Sequence, residues 1–475
     1  VVNATAGAAK TTTIVEAAKR LAKKYPYKSI LFNAFNNAIV DELKVRLGDK
    51  ITCSTIHSMG MKSLIQHYKT NLQVNTFKTF KFADSILKNE KFRKNQKDVY
   101  KFTLVDIIDL MRMTLVDIEY NAIEKLCNRF DITITNGEID HSIELLQHLN
   151  QYNEKLNKNH NLIDFTDMIY LPATDDNIKV KQYDIIFVDE LQDLSKAQHL
   201  FIQKAVKPNG RIVGVGDKFQ AIYGFAGANT DSFEEFEKRP NTINLPLSIC
   251  YRCAKSIVRN AQKVNSEIEE YEKQVEGEVR KGKVEEITAN DMVICRNTRP
   301  LVALYFQLLD QDKKSFIKGR DIEKGLIVLY NKVKDLDKYE AKERLKDMLL
   351  KIEQEFIDKR IKKPRETDKY INFREKVRIL ELLANKVQYM FEVEKQIHEL
   401  FKDKVDAIQL MTIHKAKGLE NKRVFYIEKF NGEKLIPSKH CTQPWELQQE
   451  QHVLFVALTR AKEELIYVNF VEDNS

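Results

Sequence analysis

Short apolar runs rich in β-branched residues recur along the chain, and their spacing constrains its fold more than any other feature. They are SILFNAF (29–35), YDIIFVDE (183–190), RIVGVGD (211–217), DMVICRN (291–297), AIQLMTIH (407–414), RVFYIEK (423–429) and ELIYVNF (464–470). Most are separated by helix-length amphipathic segments, such as 11–24 and 194–206. Strands that alternate with helices are joined by crossovers, which gives parallel sheets with helices on their faces. The expected class is α/β. At 475 residues the chain should hold two to four domains with substantial cores.

Two stretches break the alternation. Residues from about 60 to 160 and from about 321 to 400 are long, polar and helical in pattern, and read as insertions between sheet elements. Within 62–101 there are ten Lys/Arg against three Asp/Glu, with Tyr68, Phe77, Phe80, Phe82, Phe92 and Tyr100 interleaved. Basic residues among aromatics can track a phosphate backbone. A solvated helical face with its aromatics in the core fits the pattern equally well.

Composition narrows the class. Hydrophobic residues at 43% and charged ones at 31% describe a globular chain, and no apolar run approaches the roughly 18 residues of a membrane span. The 77 basic and 69 acidic residues leave a net charge of +8, compatible with a polyanionic partner. Six cysteines are scattered, and only Cys250 and Cys253 form a C-x-x-C, with no second pair at zinc-site spacing. A reduced intracellular protein, cytoplasmic or nuclear and not secreted, is expected. The C-x-x-C reads as small buried side chains. The opening VVNA already reads as a buried strand, so the chain is expected to continue upstream.

NATAGAAKTTT (3–13) approaches the phosphate-loop pattern G-x-x-x-x-G-K-[ST]. Lys10 and Thr11 are in place and Gly7 lies within the loop, but the pattern glycines are Ala4 and Ala9. Lys10 and Thr11 open an amphipathic segment whose helical N-terminus would offer free amides and a positive dipole to phosphate. Alanine serves there unless its position needs φ > 0, where the strain is about 1–2 kcal/mol. Asp189 and Glu190 then follow an apolar strand, with Gln192 and Asp193 next. A carboxylate at a strand end can hold Mg²⁺, and its neighbour can orient and deprotonate an attacking water.

Further segments fall in a recognisable order: TIHSMG (55–60), IDFTDMI (163–169), VGDKFQAIYGFAGA (215–228), LSICYRC (247–253), MTIHKAKGLE (411–420) and LFVALTRAKEEL (454–465). From residue 1 to about 470 this series resembles the motifs of superfamily 1 DNA helicases of the UvrD/PcrA/Rep type. The resemblance implies two RecA-like parallel-sheet domains of P-loop NTPase type, with ATP bound in the cleft between them, and two mainly helical inserted subdomains. It places domain 1A at 1–60 and 160–247, insertion 1B at 61–159, domain 2A at 248–320 and 401–475, and a small insertion 2B at 321–400.

It also implies roles. Ala6, Gly7, Ala8, Ala9, Lys10, Thr11 and Thr12 would cradle ATP, with Thr11 and Asp189 holding Mg²⁺ and Glu190 activating water. Gln220 would sense the γ-phosphate. Arg252 and Arg460 would act as arginine fingers, Tyr251 would stack on adenine, and Glu420 would bind the ribose or help bridge the domains. Phe35, Asn36, Thr55, His57, Tyr223, Phe225, Thr412 and His414 would line the path of single-stranded DNA. Partners would be single-stranded DNA and single-strand/duplex junctions, met by a monomeric motor moving 3′→5′.

Departures from the pattern are Ala9 for the glycine before the lysine and Ala226 for an arginine after the stacking aromatic. The family's adenine-reading glutamine would lie upstream of residue 1. A duplex-separating helicase, a translocase that strips proteins or remodels forks, and a hydrolysis-impaired clamp all remain open at this point.

Overall fold

The computed structural model describes residues 1–88, 90, 96–130, 132, 136–222, 232–358, 365, 368–438, 441 and 443–472. Tyr223, Phe225 and Ala226 therefore lie outside the described residues, as does Phe92. The chain divides into two compact units, one of residues 1–5 with 9–247, the other of 6–8 with 248–475.

The first unit is built on strands β1 (Val2–Ala4), β2 (Ile30–Asn33), β3 (Thr52–Ser54), β4 (Gln73–Val74), β5 (Leu162–Ile163), β6 (Tyr183–Val188), β7 (Val206–Gly216) and β8 (Leu245–Leu247). Six of them form one sheet in the order β3-β2-β6-β7-β1-β8, every pair parallel. Helices cover both faces, so the central strands are apolar throughout: all four residues of β2 are buried, and Phe32 stacks on Phe187 of β6. The helix Lys10–Lys24 turns Ile14, Val15 and Ala18 inward. The helix Lys196–Ala205 starts at a reciprocal cap between Ser195 and Gln198. In β7 the register jumps from Val206 to Arg211, so residues 207–210 loop out of the ladder.

The first polar stretch folds as helices Lys78–Ile86, Gln96–Thr114, Tyr120–Arg129 and Asn136–Glu154 around their own core of Leu87, Leu104, Ile107, Ile108, Ile123, Leu145 and Leu149. Its aromatics mostly pack. Phe82 and Tyr100 lean on that core, while Phe80 meets Phe102 and carries the Lys101 ammonium over its ring. The helix Ile56–Tyr68 runs through residue 60 without a break.

The second unit holds β9 (Ile249–Cys250), β10 (Glu269–Glu270), β11 (Glu278–Gly282), β12 (Met292–Cys295), β13 (Ser315–Lys318), β14 (Ile408–Thr412), β15 (Asn421–Phe430), β16 (Glu433–Lys434) and β17 (Ala461–Phe470). Its main sheet runs β11-β17-β15-β12-β14-β13, again parallel, with β16 added antiparallel to β15. The polar stretch here forms helices Arg320–Tyr330, Lys338–Asp358, Asp368–Lys386 and Val393–Phe401. Among the described residues its apolar side chains join the sheet's cluster. Leu326, Leu329, Leu345, Leu380, Leu383 and Ile397 belong to one cluster with the sheet residues Val293, Leu410 and Phe425.

Candidate functional site

In the first unit the sheet order places the carboxyl ends of β1, β6 and β7 side by side, where open parallel sheets receive ligands. Lys10 and Thr11 begin the helix after β1, Asp189 and Glu190 follow β6, and Asp217 to Gln220 follow β7. Thr11 Oγ1 donates to Asp189 Oδ2 at 3.4 Å across 178 residues of sequence. Gln192 bridges the other two segments: its amide nitrogen donates to Glu190, and its oxygen accepts from the Asp217 amide at 3.0 Å. Gln220 Nε2 donates to Asp217 Oδ2 at 2.7 Å. A side chain at Gly216 would collide with the Gln192 amide, which fixes glycine at the end of β7.

Charge and backbone are both under tension here. Burial, reinforced by the neighbouring Glu190, pushes the Asp189 carboxyl up to about 7 against the pull of Lys10 and its own hydrogen bonds. Burial also raises Asp217, again opposed by Lys10. Ala9 sits in the left-handed region at φ 54° and caps the helix without a side-chain bond, and Glu190 is left-handed at φ 52°. Left-handed backbone at residues with a Cβ gathers at functional sites because the surrounding structure must enforce it. The position that the loop pattern reserves for glycine therefore does need positive φ.

The second unit assembles its own group. Arg252 and Lys462 both ion-pair with Glu420, Lys462 at 2.6 Å. Arg460 is buried beside them, its guanidinium donating to the carbonyls of Val456 at 2.9 Å and Leu419 at 3.1 Å. Burial alone would raise the Glu420 carboxyl, yet Lys462 and Arg252 hold it below its ordinary value. Tyr251 is 49% exposed and its ring meets Tyr271 at 4.8 Å. Residues 6–8 pack within this unit: the Tyr251 amide donates to Gly7 O at 3.0 Å, and Ala6 and Ala8 are buried. Gly7, at φ +70°, leaves no room for a Cβ, which would lie 2.7 Å from Arg252 Cβ and 2.8 Å from Cys250 Sγ.

Of the residues expected on a DNA path, those described in the first unit follow β2 and β3, and those in the second end or follow β14. Phe35 follows β2 and is 56% exposed, while Asn36 caps the next helix by accepting from the Ile39 amide. Thr55 follows β3 and is buried, its hydroxyl engaged with Ser58 as a helix cap. Burial lowers His57 below its ordinary value, and its ring meets the exposed Phe165 edge to face. After β14, Thr412 caps the short helix Ile413–Ala416. Burial, with Arg296, Lys417 and Lys415, drives His414 down to about 3. Thr55 and Thr412 thus hold their helices first.

Three contributors escaped the sequence reading in this form. Phe165 lies inside IDFTDMI and presents an exposed ring beside His57. Lys462, two residues after Arg460, completes the Glu420 pair. Gln192 stood out only as a neighbour of the acidic pair, and its bridge to the β7 loop is a tertiary fact.

Residues 1–241 match the UvrD/REP helicase N-terminal domain family. A probable DNA helicase II homolog of Mycoplasma genitalium is 26% identical over 376 residues, covering 74% of this chain and 49% of that protein. The F-box DNA helicase 1 of Gallus gallus is 24% identical over 98% of this chain and 47% of its own length. An ATP-dependent DNA helicase Rep of Buchnera aphidicola is 26% identical over 55% of this chain and 41% of its own. The chain spans about half or less of the length of these relatives.

Proposed function

Because the chain belongs to the UvrD/REP helicase family, we propose that it is a DNA-dependent ATPase that steps along single-stranded DNA and opens duplex ahead of it. The observation that carries this reading is the convergence of Lys10, Thr11, Asp189, Glu190 and Gln220 at three adjacent strand ends. Their hard oxygen donors beside an ammonium suit a magnesium polyphosphate. Thr11 and Asp189 would hold Mg²⁺, which when bound neutralises phosphate charge. Lys10 would bind the β- and γ-phosphates, and Glu190 would orient the attacking water and take its proton. Gln220 would register the γ-phosphate through its bond to Asp217. Arg252 and Arg460 would meet the charge developing on the transferred phosphoryl group, a contribution of about 10³–10⁵ in rate. Arg252 would leave Glu420 to do so, and Arg460 its carbonyls.

Tyr251 would stack on adenine, and Phe35, His57, Thr412 and His414 would contact the DNA strand, where each stacked base contributes about 1–3 kcal/mol. In this reading 61–159 is insertion 1B and 321–400 a small 2B, on domains 1A (1–60, 160–247) and 2A (248–320, 401–475). Movement is 3′→5′, the polarity the family resemblance implies.

The test is ATP hydrolysis with and without single-stranded DNA, with Lys10→Ala as control. Strong stimulation that vanishes in the variant is expected. Equal hydrolysis by both proteins would remove the motor reading.

A further inference from the structure

Cys250 and Cys253 bracket Tyr251 and Arg252, yet nothing in the proposed reaction uses their sulfurs. Both are thiols and both are buried. The chain turns so tightly here that the Cys253 amide donates to Cys250 Sγ at 3.4 Å. On its other side Cys253 Sγ lies 3.7 Å from the Thr459 carbonyl, immediately before Arg460. Cys250 Sγ in turn packs where a Cβ on Gly7 would be. The sulfurs therefore sit at the point where residues 7, 250–253 and 459–460 meet within the second unit.

Their environments are opposite. A hydrogen bond from Cys253, the backbone amides of Cys253 and Arg252, and the Arg252 charge favour the anion on Cys250 and bring it down to about 6 despite burial. The same hydrogen bond and burial hold the Cys253 proton far more tightly than in a free thiol. One thiolate beside one protonated thiol is the arrangement that disulfide exchange requires.

We propose that Cys250 and Cys253 are a reversible redox pair that closes to a disulfide and thereby displaces Tyr251 and Arg252 from their working positions. The displacement half rests on the ATPase reading above; the dithiol half does not. The oxidant is a low-molecular-weight disulfide. Cys250 thiolate attacks one of its sulfurs, a mixed disulfide forms, and one small thiolate leaves. Cys253 then loses its proton and attacks the Cys250 sulfur, the protein disulfide forms, and the second small thiolate leaves. Two electrons pass from the cysteines to the small disulfide.

Closure removes the negative charge beside Arg252 and brings the two sulfurs to covalent distance, about 2.05 Å. The backbone at 251–252 must follow. Because both sulfurs are buried, exchange proceeds through local opening of the turn around the half-exposed Tyr251.

The experiment equilibrates the full chain in mixtures of oxidised and reduced glutathione, blocks remaining thiols by alkylation, and reads each cysteine by peptide mass. DNA-stimulated ATP hydrolysis is followed in parallel. The expected result is a 250–253 peptide lacking two hydrogens, with hydrolysis falling at least tenfold along the same curve and returning on reduction. Cys250→Ser and Cys253→Ser should retain the reduced-state rate in both buffers. Full alkylation of both cysteines at every glutathione ratio overturns the proposal. So does inhibition that persists in the serine variants, since it then belongs to other thiols. A reduced chain that hydrolyses no ATP overturns the motor reading instead, and the mass readout still decides the dithiol.

Discussion

The first unit buries two groups of charges and treats them in opposite ways. Around Lys78 and Arg112 each charge has an ionic partner, although burial still raises the Asp109 carboxyl. Lys78 pairs with Asp167 at 2.6 Å, while Arg112 reaches Asp164 at 3.0 Å, Asp167 at 3.1 Å and Asp109 at 2.7 Å. Thr79 and Asn153 donate to the same carboxylates. Burial alone would raise the Asp164 carboxyl, but Arg112, Lys78 and the Asp167 amide together hold it below its ordinary value. Around Lys10 the balance tips the other way: Asp189 is pushed up to about 7, Asp217 is raised, and the backbone is left-handed at Ala9 and Glu190. A closed network fixes helices of the polar stretch to the Asp164–Asp167 segment. An open one leaves charge and strain for a ligand to relieve.

The two groups must therefore fail differently. Lys10→Ala should lower DNA-stimulated hydrolysis by about 10³–10⁵, the scale of one lost transition-state cation. Its urea midpoint should stay near that of the parent chain, and a large shift would show that Lys10 also holds the fold. Lys78→Met should do the reverse. It removes one of the two cations paired with the buried Asp167 and should cost about 3–5 kcal/mol of stability in urea unfolding. The protein that remains folded should hydrolyse ATP at close to the parent rate. A variant of full stability would mean that the network is not closed as described.

A third buried group sharpens the contrast with a charge the fold refuses. Burial, aided by Arg239, pushes His199 from an ordinary 6.5 to about 3, and its ring packs on Phe236. The unfolded chain takes up this proton below 6.5 and the folded chain does not until about 3. Stability is therefore lost as pH falls from 6.5 towards 3, by up to about 2 kcal/mol at pH 5. His199→Phe should flatten that slope between pH 6.5 and 4 and leave it unchanged above 7. An unaltered acid slope would place the proton uptake elsewhere.

The sequence was most legible where local pattern and tertiary role coincide. All seven apolar runs are strands, because a strand buried on both faces must be apolar throughout. Asp189 and Glu190 stood out as acids at the end of such a run, and Lys10 and Thr11 as the start of an amphipathic helix. Lys78, Arg112 and Asp164 were not legible as a network, since they lie up to 86 positions apart in stretches rich in charge. A buried lysine and a solvated one look alike until the partner is placed. The pattern of 321–400 reads as an insertion, and in the structure apolar faces of its helices join the sheet's own core. Periodicity shows that a helix has a buried face and not what covers it.

The smallest effect tests the strain itself. Ala9 is held at φ 54° by its place before the helix, with its carbonyl accepting from Thr13. A left-handed alanine costs about 1–2 kcal/mol, and glycine at the same place gives back about 0.5–1 kcal/mol through its freer unfolded chain. Ala9→Gly should therefore raise folding stability by about 0.5–1 kcal/mol. Lys69, left-handed at φ 50° at the end of the helix Ile56–Tyr68, supplies a control away from the phosphate loop. Lys69→Gly should give a similar gain that is indifferent to nucleotide. The decisive measurement is unfolding of both variants with and without ATP and magnesium. If the helix start holds Ala9 left-handed whether or not phosphate is bound, its gain is equal in the two conditions and ATP affinity does not change. If instead the gain shrinks with nucleotide and affinity falls, the ligand relaxes Ala9, and alanine there stores strain that binding releases.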